Sequence, residues 1–171
     1  MVTGLEILDT AVKVGLGAAL AGAASLLIAR TSQKHEIKKL LLSERRDLLK
    51  LAAVALEDAA SVVNLANQEI YALHDSKSEE NKARVLESAR KLSTATNLAR
   101  QACAYCYIGN QDSTGALCDR YAELIEDLHS HYADKRMSYD PKFAKENFEQ
   151  RIKLRIEILQ GMKFSLAEIY A

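Results

Sequence analysis

Few residue types in this chain could carry chemistry. Cys103 and Cys106 have C-x-x-C spacing, Cys118 lies twelve residues further on, and His129 and His131 follow in DLHSHY. Thiolates and imidazoles are zinc ligands, and paired thiols exchange with disulfides. A strong zinc pattern needs a second pair at matching spacing. Here Cys118 stands alone, and the histidines fall about three helical turns beyond it. A redox C-x-x-C usually opens a helix after a strand, where the helix dipole lowers the thiol pKa. This one falls near a helix end, with both cysteines on the apolar stripe, so core packing is the expectation. Three cysteines, an odd number, fit a reducing compartment better than a disulfide framework.

Glu126-x-x-His129 is half of the ligand set of a di-iron bundle. No second Glu-x-x-His occurs on another helix, so the set stays half filled. Glu57, Asp58, Glu87, Glu123 and Asp127 fall off the apolar stripes, as residues of a solvated face do. There is no Gly-rich phosphate loop followed by Lys and Ser/Thr, no G-x-S-x-G and no H-E-x-x-H. The sequence therefore assigns no catalytic, cofactor-binding or metal residue. Two arginines interrupt apolar stripes, Arg45 and Arg155. They belong at a bundle end or snorkel to solvent, or, if buried, set register or bind a carboxylate.

The elements that would hold these residues read as helices throughout. Leu42, Leu49, Ala52, Leu56, Ala59, Val63, Ala66, Ile70 and Leu73 are spaced by threes, fours and one seven, with Leu41, Leu48, Ala55 and Val62 widening the stripe. Ser76 followed by Glu79 has capping-box spacing, and a helix is predicted from about Glu79 to Ile108 on Val85, Ala89, Leu92, Thr96, Ala99, Cys103 and Cys106. Gly109 or Asn110 suits its left-handed C-cap, and Asp112 or Ser113 can cap the next helix, whose stripe is Leu117, Tyr121, Leu124 and Leu128, with Cys118, Ile125 and Tyr132 alongside. Asp140 before Pro141 marks the last start, with Phe148, Ile152, Leu159, Met162, Leu166 and Ile169 as its apolar side. Short polar turns between long helices predict an antiparallel up-down four-helix bundle over residues 34–171.

Residues 1–33 read differently. Val14 to Ala29 carries no charge over sixteen residues. It would cover about 24 Å of a hydrocarbon layer about 30 Å thick, and Lys13 can snorkel to lengthen it. The segment is apolar all round and holds Gly15, Gly17 and Gly22, common in spans and costly in water-soluble helices. Acids precede it, and Arg30, Lys34, Lys38 and Lys39 follow at its foot. The positive-inside rule then predicts a single-pass anchor of the inner (plasma) membrane of a bacterial-type cell, with the C-terminal domain cytoplasmic. The basic foot could lie on anionic headgroups. A cleaved signal peptide would begin basic, not acidic. The alternative is a buried helix of a five-helix soluble protein; on either reading, with only ARTSQKHE between them, the segment can run into the next helix as one rod. Gly15, Gly17, Ala18, Ala21, Gly22 and Ser25 form small-residue ridges along which spans pack closely.

The 171 residues suffice for one domain, with one proline, few aromatics and zero net charge. The basic excess is local, seven Lys or Arg against three acids over residues 30–50, which argues against nucleic acid as a partner. The function expected is a non-enzymatic, membrane-anchored helical scaffold whose partners are the bilayer and, through its helices, a second copy or another protein. Two alternatives remain: a membrane-active effector whose spans oligomerise to permeabilise the bilayer, and a soluble helical metalloprotein or enzyme using Cys103, Cys106, Glu126 and His129.

Overall fold

The computed structural model describes the backbone of residues 4–73, 78–134 and 140–170, and the side chains of α1 at Lys13 and from Ala21 onward. Four helices account for it: α1 (Gly4–Leu73), α2 (Glu79–Ile108), α3 (Asp112–Asp134) and α4 (Pro141–Tyr170). Among the described residues there is no strand. The chain divides into two compact units, Met1–Ser43 and Glu44–Ala171.

The second unit is a helical bundle, and its neighbouring helices run antiparallel. Near the C-terminal end of α1, Glu69 accepts hydrogen bonds from Ser88 Oγ (2.6 Å) and Lys91 Nζ (2.8 Å) in the first half of α2. Leu48 of α1 lies beside Gly109, just past the end of α2. Cys103 and Arg100 of α2 reach Asp119 and Glu126 of α3. Asn147 Nδ2 of α4 donates to the Leu124 carbonyl of α3 (2.7 Å), while Gly161 packs against Thr114. Arg155 of α4 closes the ring on Glu57 of α1, with Nε 3.0 Å from Oε1.

Why these residues build this bundle follows from their spacing. The α1 positions 49, 52, 56, 59, 63, 66 and 70 are all buried, and so are 85, 89, 92, 96, 99, 103 and 106 of α2. Alanines supply much of both faces, which lets backbones approach closely. The larger fully buried side chains, among them Leu56, Val63, Leu92, Ile125, Leu128 and Ile158, each gain about 1.5–3 kcal/mol over exposure. On α3 the inward column is Cys118, Tyr121, Ile125, Leu128 and Tyr132, with Leu117 and Leu124 half-buried at its side.

The helix ends are set locally. Asn110 takes the left-handed conformation (φ 55°) after α2, the residue type that best tolerates it apart from glycine. Asp112 is the first residue of α3 rather than its cap, and the Gln111 carbonyl accepts from Gly115 N–H. Asp140 caps α4 as its sequence suggests, with Oδ1 accepting from the backbone N–H of Lys142 (3.0 Å) and Phe143 (3.2 Å). Ser76 lies outside the described residues, and α2 starts after Ser78.

On α4 the reading from sequence is corrected. Its inward face is Asn147, Arg151, Leu154, Ile158, Met162 and Ser165, while Phe148, Ile152 and Ile156 are 41–51 % exposed. The helix carries apolar residues on two adjacent faces, and the face that also holds Asn147 and Arg151 is inside. Tertiary contacts made by Asn147 and Arg151 outweigh the binary pattern here.

The first unit is helical wherever its backbone is described. Every described side chain from Ala21 to Leu41 is exposed, Leu26, Leu27 and Ile28 by 65–69 %. Among the described residues, no helix is long and apolar enough to cross a membrane. The side chains of Val14 to Leu20, which make up the first part of the apolar segment, lie outside the described residues.

Candidate functional site

The residues singled out for chemistry fall into separate places. Cys103, Cys106 and Cys118 do meet, in the buried seam between α2 and α3. Cys103 Sγ donates to Asp119 Oδ1 (3.0 Å), and Tyr107 Oη donates to Asp119 Oδ2 (3.2 Å). Burial and the Asp119 carboxylate push the Cys103 thiol up to about 12. The Cys118 thiol donates to Cys106, which holds Cys106 below its ordinary value and Cys118 far above. The raised thiols of Cys103 and Cys118 are poor nucleophiles near neutral pH. Among the described residues, no group of three or more His, Cys, Asp or Glu side chains is arranged to hold a metal ion.

Glu126 is tied to Arg100 Nη2 at 2.7 Å on the surface. His129 is half-buried on α3. His131 stacks on Phe143, with ring centroids 4.1 Å apart, and meets Tyr132 edge-on. Arg155 is half-exposed and forms a two-point pair with Glu57. Arg45 reaches the Gln111 amide, which in turn bonds the Ser165 hydroxyl. That network ties the α2–α3 turn to α1 and α4. Neither arginine flagged in the sequence is the buried one.

The buried one is Arg151. It is only 3 % exposed, and its Nε donates to Asn147 Oδ1 at 2.7 Å. Burial pulls the guanidinium below its ordinary value, offset in part by the nearby Tyr121 and Tyr132 phenols. Its Nη2 has no hydrogen-bond partner among the described residues. Its Cζ lies 5.9 Å from the centroid of Phe148. A cavity of about 280 Å³ opens between the end of α1 and the start of α4, walled by Asn67, Tyr71, Tyr132, Lys145 and Phe148. Asn67 Oδ1 is buried and also has no partner among the described residues. Sequence reasoning missed this region because asparagine and arginine at core positions contradict the pattern it relied on. The one available signal was the Asn147/Arg151 spacing of four, which makes the pair neighbours on a helix.

The residues assigned to membrane contact stay on α1. Ala21, Gly22 and Ser25 are exposed, and a Cβ on Gly22 would meet nothing within 4 Å. Arg30, Lys34, Lys38 and Lys39 are all exposed. Gly15, Gly17 and Ala18 belong to the helical backbone of α1, and their side-chain surroundings lie outside the described residues.

Fold and site together define an antiparallel helical bundle with a closed thiol-bearing seam, a buried arginine and one small aromatic-walled cavity beside it. No protein-family model, curated protein or solved structure matches the chain.

Proposed function

We propose that the chain is a non-enzymatic scaffold held on a lipid bilayer by residues 14–29, with its helical bundle on the cytoplasmic side. The observation that carries this reading is the exposed run Leu26-Leu27-Ile28, followed directly by exposed Arg30, Lys34, Lys38 and Lys39. Exposed apolar residues next to a basic cluster match an acyl-to-headgroup boundary, where each basic side chain contributes about 1 kcal/mol on an anionic surface. Residues 14–20 complete the apolar length, and Lys13 sits where a snorkelling side chain is useful. Ala21, Gly22 and Ser25 offer a small-residue ridge for a second span.

The bundle supplies the docking part of the reading. Its exposed Phe148, Ile152 and Ile156 form one apolar strip on α4 that suits a helix of another chain or of a second copy. Tethering raises the effective concentration of such a contact without strengthening it.

The test is fractionation of the full-length chain with an alkaline carbonate wash, then protease added from the cytoplasmic side. Retention in the washed membrane with the bundle digested is the expected result. Recovery of the chain in the soluble fraction would refute the anchor, and protection of the bundle would refute its orientation.

A further inference from the structure

We propose that Cys106 and Cys118 are a site of reversible oxidation, joined as a disulfide across α2 and α3 when the chain meets a small hydroperoxide. The proposal does not depend on where the chain is anchored.

Three observations carry it. The first is the register of α2 against α3. Tyr107 lies against Gly115, Cys103 Sγ donates to Asp119 Oδ1 at 3.0 Å, and Arg100 Nη2 meets Glu126 Oε2 at 2.7 Å. In the antiparallel register those contacts fix, Cys106 falls opposite Cys118. Both are fully buried, so both side chains enter the same seam, and the Cys118 thiol donates to Cys106. A disulfide needs two close backbones with converging Cβ vectors. Ala102 and Ala122, one turn further along each helix, are small and buried as well, so nothing bulky holds the helices apart at this level.

The second observation is how the three thiols differ. Cys103 is turned to the Asp119 carboxylate, and burial with that carboxylate raises its thiol to about 12. Cys106 instead accepts the Cys118 hydrogen bond, which holds its thiol below the ordinary value. A thiol stabilised as thiolate is the one that attacks a peroxide, and a neighbouring thiol is what resolves the product.

The third observation is the route in. Cys106 lies in the last turn of α2, where Tyr107 and Ile108 are 41 % and 66 % exposed. Helix ends open locally at less cost than helix middles. Opening this turn uncovers Cys106 while Cys118 stays on α3. The Cys106 sulfur then attacks one oxygen of hydrogen peroxide, the O–O bond breaks, and the thiol proton leaves with the departing hydroxide as water. The Cys118 sulfur attacks the resulting sulfenic acid, the S–O bond breaks, and the Cys118 proton leaves with that hydroxyl as a second water. The two thiols lose two electrons and the peroxide gains them.

The test uses the folded full-length chain, reduced, freed of reductant and exposed to millimolar hydrogen peroxide. Intact mass and N-ethylmaleimide labelling in urea are the readouts. The native chain should lose two hydrogens in mass and keep one labelled thiol, placed at Cys103 by chymotryptic mapping. Dithiothreitol should restore all three thiols. Cys103→Ala should form the same crosslink, and Cys118→Ala should not. The crosslinked chain should melt about 5–10 °C higher, because a bond closing a short loop restricts the unfolded chain. The native-chain measurement decides the matter even if a variant does not fold. Three labelled thiols after peroxide, a bond that includes Cys103 or joins two chains, or a lower melting midpoint would each overturn the proposal.

Discussion

Gly161 on α4 gives a sharp check on the packing described above. A Cβ placed on it would lie 2.8 Å from Thr114 Oγ1, with Thr114 Cγ2 and Cβ at 3.7 and 3.8 Å. Thr114 is 3 % exposed, and a β-branched side chain in a helix has few rotamers to escape into. Two effects therefore oppose each other in Gly161→Ala. Alanine favours the helix by about 1 kcal/mol, while overpacking a closed site costs about 1–3 kcal/mol. The net expectation is a destabilisation of up to about 2 kcal/mol. In a Thr114→Ala background Oγ1 and Cγ2 are gone, only the ordinary contact to Cβ remains, and the same Gly161→Ala change should stabilise by about 1 kcal/mol. The coupling energy of the pair is then about 1–3 kcal/mol. Urea unfolding of the full chain, followed by far-UV circular dichroism, reads it directly. With an m-value of about 2 kcal/mol/M, each kcal/mol moves the midpoint by about 0.5 M. Gly115→Ala is the comparison: its Cβ meets the Tyr107 ring at 3.0 Å, but Tyr107 is 41 % exposed and can move at the expense of its exposed hydrogen bond to Asp119, so a smaller loss is expected. If Gly161→Ala had the same effect in both backgrounds, the close α3–α4 contact would not exist as described.

Three further outcomes are expected. Arg151→Met leaves Asn147 Oδ1 unpaired and should be about 1–3 kcal/mol less stable than Arg151→Met/Asn147→Leu, which removes both polar groups; a double variant less stable than the single would refute this. Asp119→Asn removes the carboxylate that raises the Cys103 thiol, so iodoacetamide should label Cys103 severalfold faster at mildly alkaline pH, as read by mass spectrometry, with equal rates counting against it. Glu69 is held below its ordinary value of 4.5 chiefly by Lys91 and then by Ser88. Its stabilisation is thus fully present above that value and lost as pH falls from there through its lowered folded value. Both Glu69 and Lys91 are more than 40 % exposed, so the effect is on the order of 0.5 kcal/mol. Glu69→Gln should lose less stability than the native chain between neutral and acidic pH, and parallel pH curves would show that the bond contributes nothing.

How legible the molecule was depended on how one-sided each helix is. The main columns of α1 and α2 could be read because Leu, Val and Ala recur on them at threes and fours, although Leu41, Leu51, Val54 and Leu65 of α1 are exposed. The α4 stripe could not, because Phe148, Ile152 and Ile156 compete with Leu154, Ile158 and Met162 for the inside, and periodicity alone does not rank two adjacent faces. Cys103 and Cys106 are buried, as their place on the α2 stripe predicts. Their meeting with Cys118 and Asp119 depends on the α2–α3 register, which no local pattern fixes. The cavity was invisible for the same reason: Asn67, Tyr132 and Phe148 come from three helices.

The two-faced character of α4 has a consequence for the folding landscape. Rotating it by about one residue's turn would bring its outer apolar strip inward at little hydrophobic loss, so burial alone leaves a narrow energy gap between the two arrangements. What separates them is directional: Asn147 bonded to the Leu124 carbonyl, and Arg151 bonded to Asn147, can be satisfied in only one rotation. The polar pair thus buys uniqueness rather than strength. A variant with Leu and Met in its place would be a more stable bundle with a less certain fourth helix, recognisable by weaker amide hydrogen-exchange protection in α4 than in α2 or α3.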